Sequence, residues 1–83
     1  MARNLERLER TLERRGGRSR SAHYQDIDDG LWTPPVRIGK RTVGWPSDET
    51  DRLVAARVAG LSDEEIRQLV RRLLYERKLV SPY

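Results

Sequence analysis

The sequence predicts a mainly α protein that carries one small β-hairpin, and three observations predict it. Apolar residues recur at helical spacing in two stretches, Leu5, Leu8 and Leu12 near the start and Ile66, Leu69, Val70, Leu73 and Leu74 near the end. Gly, Pro and capping residues divide the chain into short segments. Between Pro35 and Pro46 the pattern changes to alternation, with Val36 and Ile38 on either side of Arg37 and Val43 and Trp45 on either side of Gly44.

The first stripe predicts a helix from about Asn4 to Arg15. Arg14 and Arg15 suit its negative end, and Gly16-Gly17 can stop it. Ser19 is a good N-cap for a second helix, roughly Arg20 to Asp29, and Gly30 can end it. Two short helices joined by a tight turn outline a helix-turn-helix. Pro34-Pro35 then forces an extended entry. Gly39-Lys40 fits a two-residue type II′ turn, which sets Val36 opposite Val43. A lone hairpin is unstable in water, so this one must pack on the helices.

Pro46-Ser47-Asp48-Glu49 reads as an N-cap followed by acids, opening a third helix. Leu53, Val54 and Val58, with Ala55, Ala56 and Ala59, are expected on its buried side, and Gly60 ends it. Ser62 and Glu65 form a capping box for a fourth helix, and Leu61 with Ile66 forms a hydrophobic staple. Ser81-Pro82-Tyr83 is expected to fray. The boundaries read from the chain are one unit over residues 1–60 and a C-terminal amphipathic helix over 61–83, which either mediates oligomerisation or completes the core.

At 83 residues the chain is one domain, or one domain and a terminal helix, with a marginal core. Charged residues equal hydrophobic ones at 36% each, yet the apolar residues cluster, which argues against disorder. The absence of cysteine excludes disulfides, thiolate zinc sites and cysteine nucleophiles, and a single histidine disfavours a histidine metal cage or a Ser-His-Asp hydrolase. No apolar run approaches the roughly 20 residues of a membrane span, and no signal peptide is visible. The net charge of +4 alternates in sign along the chain, as for a folded object with basic faces and a polyanionic partner.

No phosphate loop, zinc-ligand spacing or nucleophile elbow is present. Asp26, Asp28 and Asp29 lack the glycine and distal glutamate of a calcium loop, so they read as a solvated helix face. His23 reads as a structural histidine. No metal, cofactor or catalytic residue is expected, and the chain is not read as an enzyme.

The informative constellation is Arg18, Ser19, Arg20, Ser21, Tyr24 and Gln25 at and after a helix N-terminus, followed by a hairpin with Arg37, Lys40 and Arg41. A helix N-terminus receives phosphate well. These side chains hydrogen-bond base edges or phosphates, and the first turns of such a helix enter the major groove. A basic hairpin beside it can reach the minor groove or the backbone.

Gly17-Arg18-Ser19-Arg20-Ser21-Ala22-His23-Tyr24, Asp29 through Gly39, and Arg41-Thr42-Val43-Gly44-Trp45, continuing from Asp51 to Ala59, together resemble the AlpA family. The likeness covers about residues 11–59. Its most specific parts are Ser-Arg-Ser-x-x-Tyr and Pro-Val-Arg-Ile-Gly-x-Arg-x-Val-Gly-Trp. His23 and Arg18 depart from it, standing where aliphatic residues are usual. The resemblance implies a MerR-like winged helix-turn-helix, here with an additional C-terminal amphipathic helix. It implies a recognition helix from Arg20, a wing tip at Gly39-Lys40-Arg41, and Trp32 and Trp45 as core beneath the wing.

The family resemblance also implies small prophage or mobile-element regulators that act as transcriptional activators, as excisionases (recombination directionality factors), or as both. The expected function is therefore binding of double-stranded DNA as an excisionase-type factor, with transcriptional regulation as a second role. The alternatives are a promoter-binding activator with no part in recombination, and a protein-interaction module that does not bind DNA. Expected partners are duplex DNA, a site-specific integrase and other copies of the chain, with Ile66, Leu69, Val70, Leu73 and Leu74 as the self-association face. The expected location is the bacterial cytoplasm, on the nucleoid when bound.

Overall fold

The computed structural model describes residues 4–79. Four helices surround a small antiparallel sheet: β1 (Leu5–Glu6), α1 (Leu8–Arg14), α2 (Arg20–Asp28), β2 (Val36–Arg37), β3 (Val43–Pro46), α3 (Ser47–Val58) and α4 (Asp63–Leu79). The sheet order is β1-β3-β2. The terminal Ser81-Pro82-Tyr83 lies outside the described residues.

The first helix is shorter than its leucine spacing suggests. Leu5 and Glu6 form a strand that pairs with Pro46 and Trp45 of β3. The outer edge of β3 would otherwise present unpaired backbone groups, and this pairing satisfies them. Leu5 therefore leaves the helical stripe and is 45% exposed. The residue that α1 buries is Thr11, whose hydroxyl donates to the Arg7 carbonyl, while Leu8 and Leu12 are half-buried.

The hairpin register also differs by one residue. Val36 pairs with Gly44 and Arg37 with Val43. The Ile38 and Gly39 N–H groups both donate to the Thr42 carbonyl, leaving a three-residue tip, Gly39-Lys40-Arg41. Gly39 does not have positive φ, so no type II′ turn forms there. A one-residue slip exchanges faces, so Val36 and Ile38 fall on the side away from Val43 and Trp45. The slip puts the residue without a Cβ at the most crowded point. A Cβ on Gly44 would lie 2.7 Å from Ile38 Cδ1 and 3.0 Å from the Glu6 carbonyl oxygen.

Ser47 is the first residue of α3, not its cap. Its Oγ accepts from the Asn4 N–H and its N–H donates to the Asn4 carbonyl, which ties β1 to the helix start. The buried side of α3 is Glu49, Thr50, Leu53 and Ala56. Val54 is half-buried, Ala55 and Ala59 are exposed, and Val58 is 84% exposed, contrary to the sequence reading. The helix turns a different face inward because Arg77 of α4 reaches Glu49 with two bonds of 2.7 Å and donates to the Pro34 carbonyl.

The start of α4 is capped reciprocally: the Glu65 N–H donates to Ser62 Oγ and the Ser62 N–H to Glu65 Oε1. Those bonds hold the Glu65 pKa below the usual range. The α4 stripe is not a free face. Ile66, Val70 and Leu73 are buried with Trp32, Trp45, Leu53 and Ala56 in one core, and Leu69 and Leu74 pack against it from its edge. The self-association surface expected there is occupied by the chain's own α3 and tryptophans.

Candidate nucleic-acid interface

The turn into α2 is built by Gly16 and Gly17, both at φ +80°, a conformation that glycine adopts without strain. Their N–H groups donate to the Glu13 and Leu12 carbonyls and close α1. Ser19 then caps α2, its Oγ accepting from the Ala22 N–H at 3.2 Å. Arg20 and Ser21 follow in the first turn, both exposed.

Below that surface α2 is anchored by polar residues. Asp26, expected on a solvated face, is buried and accepts from Arg15 at 2.6 Å and from Arg18 at 2.6 and 3.0 Å. Burial favours its protonated form, yet the guanidiniums of Arg18 and Arg15 outweigh this and keep its pKa low. The same contact raises that of Arg18. Arg15 also stacks over the Trp32 ring at 4.0 Å and donates to His23 Nδ1 at 2.7 Å. An arginine only donates, so Nδ1 carries the lone pair and Nε2 the proton.

His23 is fully buried, with ring centroids 5.5 Å from Tyr24, 5.9 Å from Trp32 and 4.8 Å from Trp45. Burial, followed by the Arg15 charge, lowers its pKa to about 4. His23, Asp26 and half-buried Ile27 stand at i, i+3 and i+4. In a segment with so few apolar residues, that spacing was the signal that Asp26 faces inward.

Trp45 is fully buried and donates from Nε1 to the Thr33 carbonyl at 2.8 Å, which fixes the loop entering the wing. Tyr24 is half-buried, its ring 6.3 Å from that of Trp45, so α2 and the wing share one support. Gln25 is exposed but donates to Asp29. Arg37 donates to the Lys40 carbonyl across the wing tip.

The ion pairs divide the cations. Arg14 is held by Glu6 and Asp51, Arg15 and Arg18 by Asp26, Arg52 and Arg72 by Glu76, Arg57 by Asp63, and Arg77 by Glu49. Arg20, Arg37, Lys40 and Arg41 have no carboxylate partner among the described residues. These four lie at the start of α2 or on the wing; Arg7, just before α1, and Lys78, in the last turn of α4, also have no carboxylate partner among the described residues.

No helix of the described residues is long and apolar enough to cross a membrane. The family described as prophage CP4-57 regulatory protein (AlpA) matches residues 7–58. No curated protein and no solved structure matches the chain. The match spans more than half the sequence and takes in α1, α2, the wing and α3. The chain belongs to the AlpA family, a group of prophage-associated DNA-binding regulators.

Proposed function

We propose that the chain lays the first turns of α2 in the major groove of duplex DNA and its wing on the adjacent backbone or minor groove. In this reading it is an excisionase-type directionality factor. It shapes DNA near a recombination site so that a separate integrase excises, and it performs no bond chemistry itself. The observation that carries the DNA-facing surface is the charge division above. Apart from Arg7 and Lys78, the cations elsewhere among the described residues are held by carboxylates, whereas Arg20, Arg37, Lys40 and Arg41 cluster at the start of α2 and on the wing, left for phosphates or base edges. Arg20 and Ser21 are the base-reading candidates, with Tyr24 and Gln25 behind them. Arg18 and Ser19 serve first in setting the helix, through Asp26 and the cap. A contact between copies along DNA uses the exposed part of α4, around Tyr75 and Leu79, because the inner stripe is taken.

The test is a footprint on DNA flanking the gene, combined with an excision assay using the neighbouring integrase. Protection at an attachment site and integrase-dependent excision support the reading. Protection at a promoter, with excision unchanged, replaces it with the activator reading. Salt-independent binding, or none, removes both and leaves an interaction module.

A further inference from the structure

The pairing of β1 with β3 makes the base of the wing three-stranded and leads the chain after Glu6 along the hairpin. Leu5 stands opposite Pro46 and Glu6 opposite Trp45, so the next residue, Arg7, comes level with Gly44, across β3 from Val36. Its backbone is still extended there, before α1 begins. Strand alternation turns Glu6 and Arg7 to opposite faces. Glu6 is taken by Arg14 and Arg10. Arg7 is exposed and has no carboxylate partner among the described residues, and Glu9, exposed in the first turn of α1, makes no ion pair with it. The backbone of Arg7 does the structural work at this position, its carbonyl accepting from the Thr11 N–H and hydroxyl.

We infer that Arg7 is a further DNA contact, a phosphate-binding side chain at the base of the wing that extends the row of Lys40 and Arg41 at its tip. The inference rests on the DNA-facing reading of the wing proposed above. An unmatched guanidinium suits a phosphate, which it can hold with two parallel hydrogen bonds. Lys78, likewise unpaired, lies in the last turn of α4, where the carbonyl end of the helix attracts a cation. Arg7 stands at the opposite, positive end of α1, where the fold offers its charge no such return. Its place in the sheet also fits the task. From the level of Gly44 to Arg41 is roughly 10 Å at the strand rise of about 3.4 Å per residue. That span exceeds the width of a minor groove, about 6 Å, so cations at the two ends of the wing can meet phosphates on opposite strands.

The experiment titrates the full chain against a short mixed-sequence duplex over a range of salt. The variants are Arg7→Ala, Arg7→Lys, the wing-tip double variant Lys40→Ala with Arg41→Ala, and the control Lys78→Ala, which removes an equally unpaired charge from α4. Arg7→Ala should melt as the wild-type chain does, because the backbone bonds of residue 7 remain. It should flatten log K against log salt by about 0.9, the value of one phosphate, and weaken binding roughly three- to tenfold at low salt. Arg7→Lys, which keeps the charge, should retain most of the slope, and Lys78→Ala should leave it unchanged. Combined with the wing-tip double variant, Arg7→Ala should flatten the slope further. An unchanged slope in Arg7→Ala overturns the inference. Where the wing-tip variant still flattens it, the wing reading stands without Arg7; where neither does, both fail. Equal flattening by Lys78→Ala also overturns the inference, because net charge alone then accounts for the effect.

Discussion

At the scale of single residues, α2 is held by a chain of charges in place of an apolar face. The two residues that depart from the family pattern take part in it. His23 occupies an aliphatic-type position by staying neutral, and Arg18 closes the network by taking both oxygens of Asp26. The histidine pKa is depressed in the fold, from 6.5 to about 4. The unfolded chain therefore takes up a proton that the folded one refuses. Stability is full above about pH 6.5 and falls as pH drops toward 4, by about 3 kcal/mol. Asp26, its pKa also lowered, adds a loss of the same sign further into acid. Denaturation midpoints measured across this range should decline, and in His23→Gln, whose amide oxygen can still accept from Arg15, the slope between pH 6.5 and 4 should flatten. An unchanged slope would place the titration elsewhere. In the exposed first turn of the same helix, Arg20→Ala should cost roughly 1–3 kcal/mol of specific DNA binding with no change in melting temperature, if Arg20 reads a base. Wild-type affinity and sequence preference in that variant would move recognition off this helix.

At the scale of elements, what could be read from the sequence depended on how local the deciding interaction is. The capping box of α4, the Ser19 cap and the glycine ends at Gly30 and Gly60 were legible because each acts within a few residues. β1 was not, since its partners stand some forty residues away in β3 and its two residues also fit a helical leucine pattern. The wing register was misread for a related reason. Turn chemistry at Gly39 favoured one pairing, while the close approach of Ile38 and the β1 backbone at Gly44 favoured another. The buried face of α3 was hidden too, because Glu49 is drawn inward by an arginine 28 residues later. The Gly44 argument is testable. Gly44→Ala should destabilise by about 1–3 kcal/mol, the usual cost of overpacking. Ile38→Ala in the same chain should return part of this, because the Ile38 methyl is movable and the Glu6 carbonyl is not. If the double variant is no more stable than the sum of the singles, the crowding lies elsewhere.

At the scale of the molecule, the DNA-facing surface and the core behave as separable systems. Lys40 and Arg41 lie at an exposed tip with no carboxylate partner among the described residues. Replacing both with Ala should leave stability unchanged and flatten the dependence of log K on log salt by about 0.9 for each phosphate that the wing no longer neutralises. An unchanged slope would mean that the wing does not touch the backbone. The core, in contrast, cannot be divided at the end of the family match. Residues 7–58 include the candidate DNA-facing surface, yet three of the buried apolar side chains beneath it, Ile66, Val70 and Leu73, come from α4. α4 also supplies Arg77, which closes on buried Glu49 and on the loop before the wing. A chain ended at Gly60 would expose Trp32, Trp45 and Leu53 on one side and leave the Glu49 carboxylate without its arginine. Losing one large core side chain costs about 2–5 kcal/mol, and a small domain has only about 5–15 kcal/mol to lose. The truncated chain should therefore show no cooperative thermal transition and no specific DNA binding, while the chain ended after Leu79 should melt cooperatively. A cooperative melt of the 1–60 fragment, with DNA binding retained, would show instead that α4 is an appendage and that its stripe is available to another molecule.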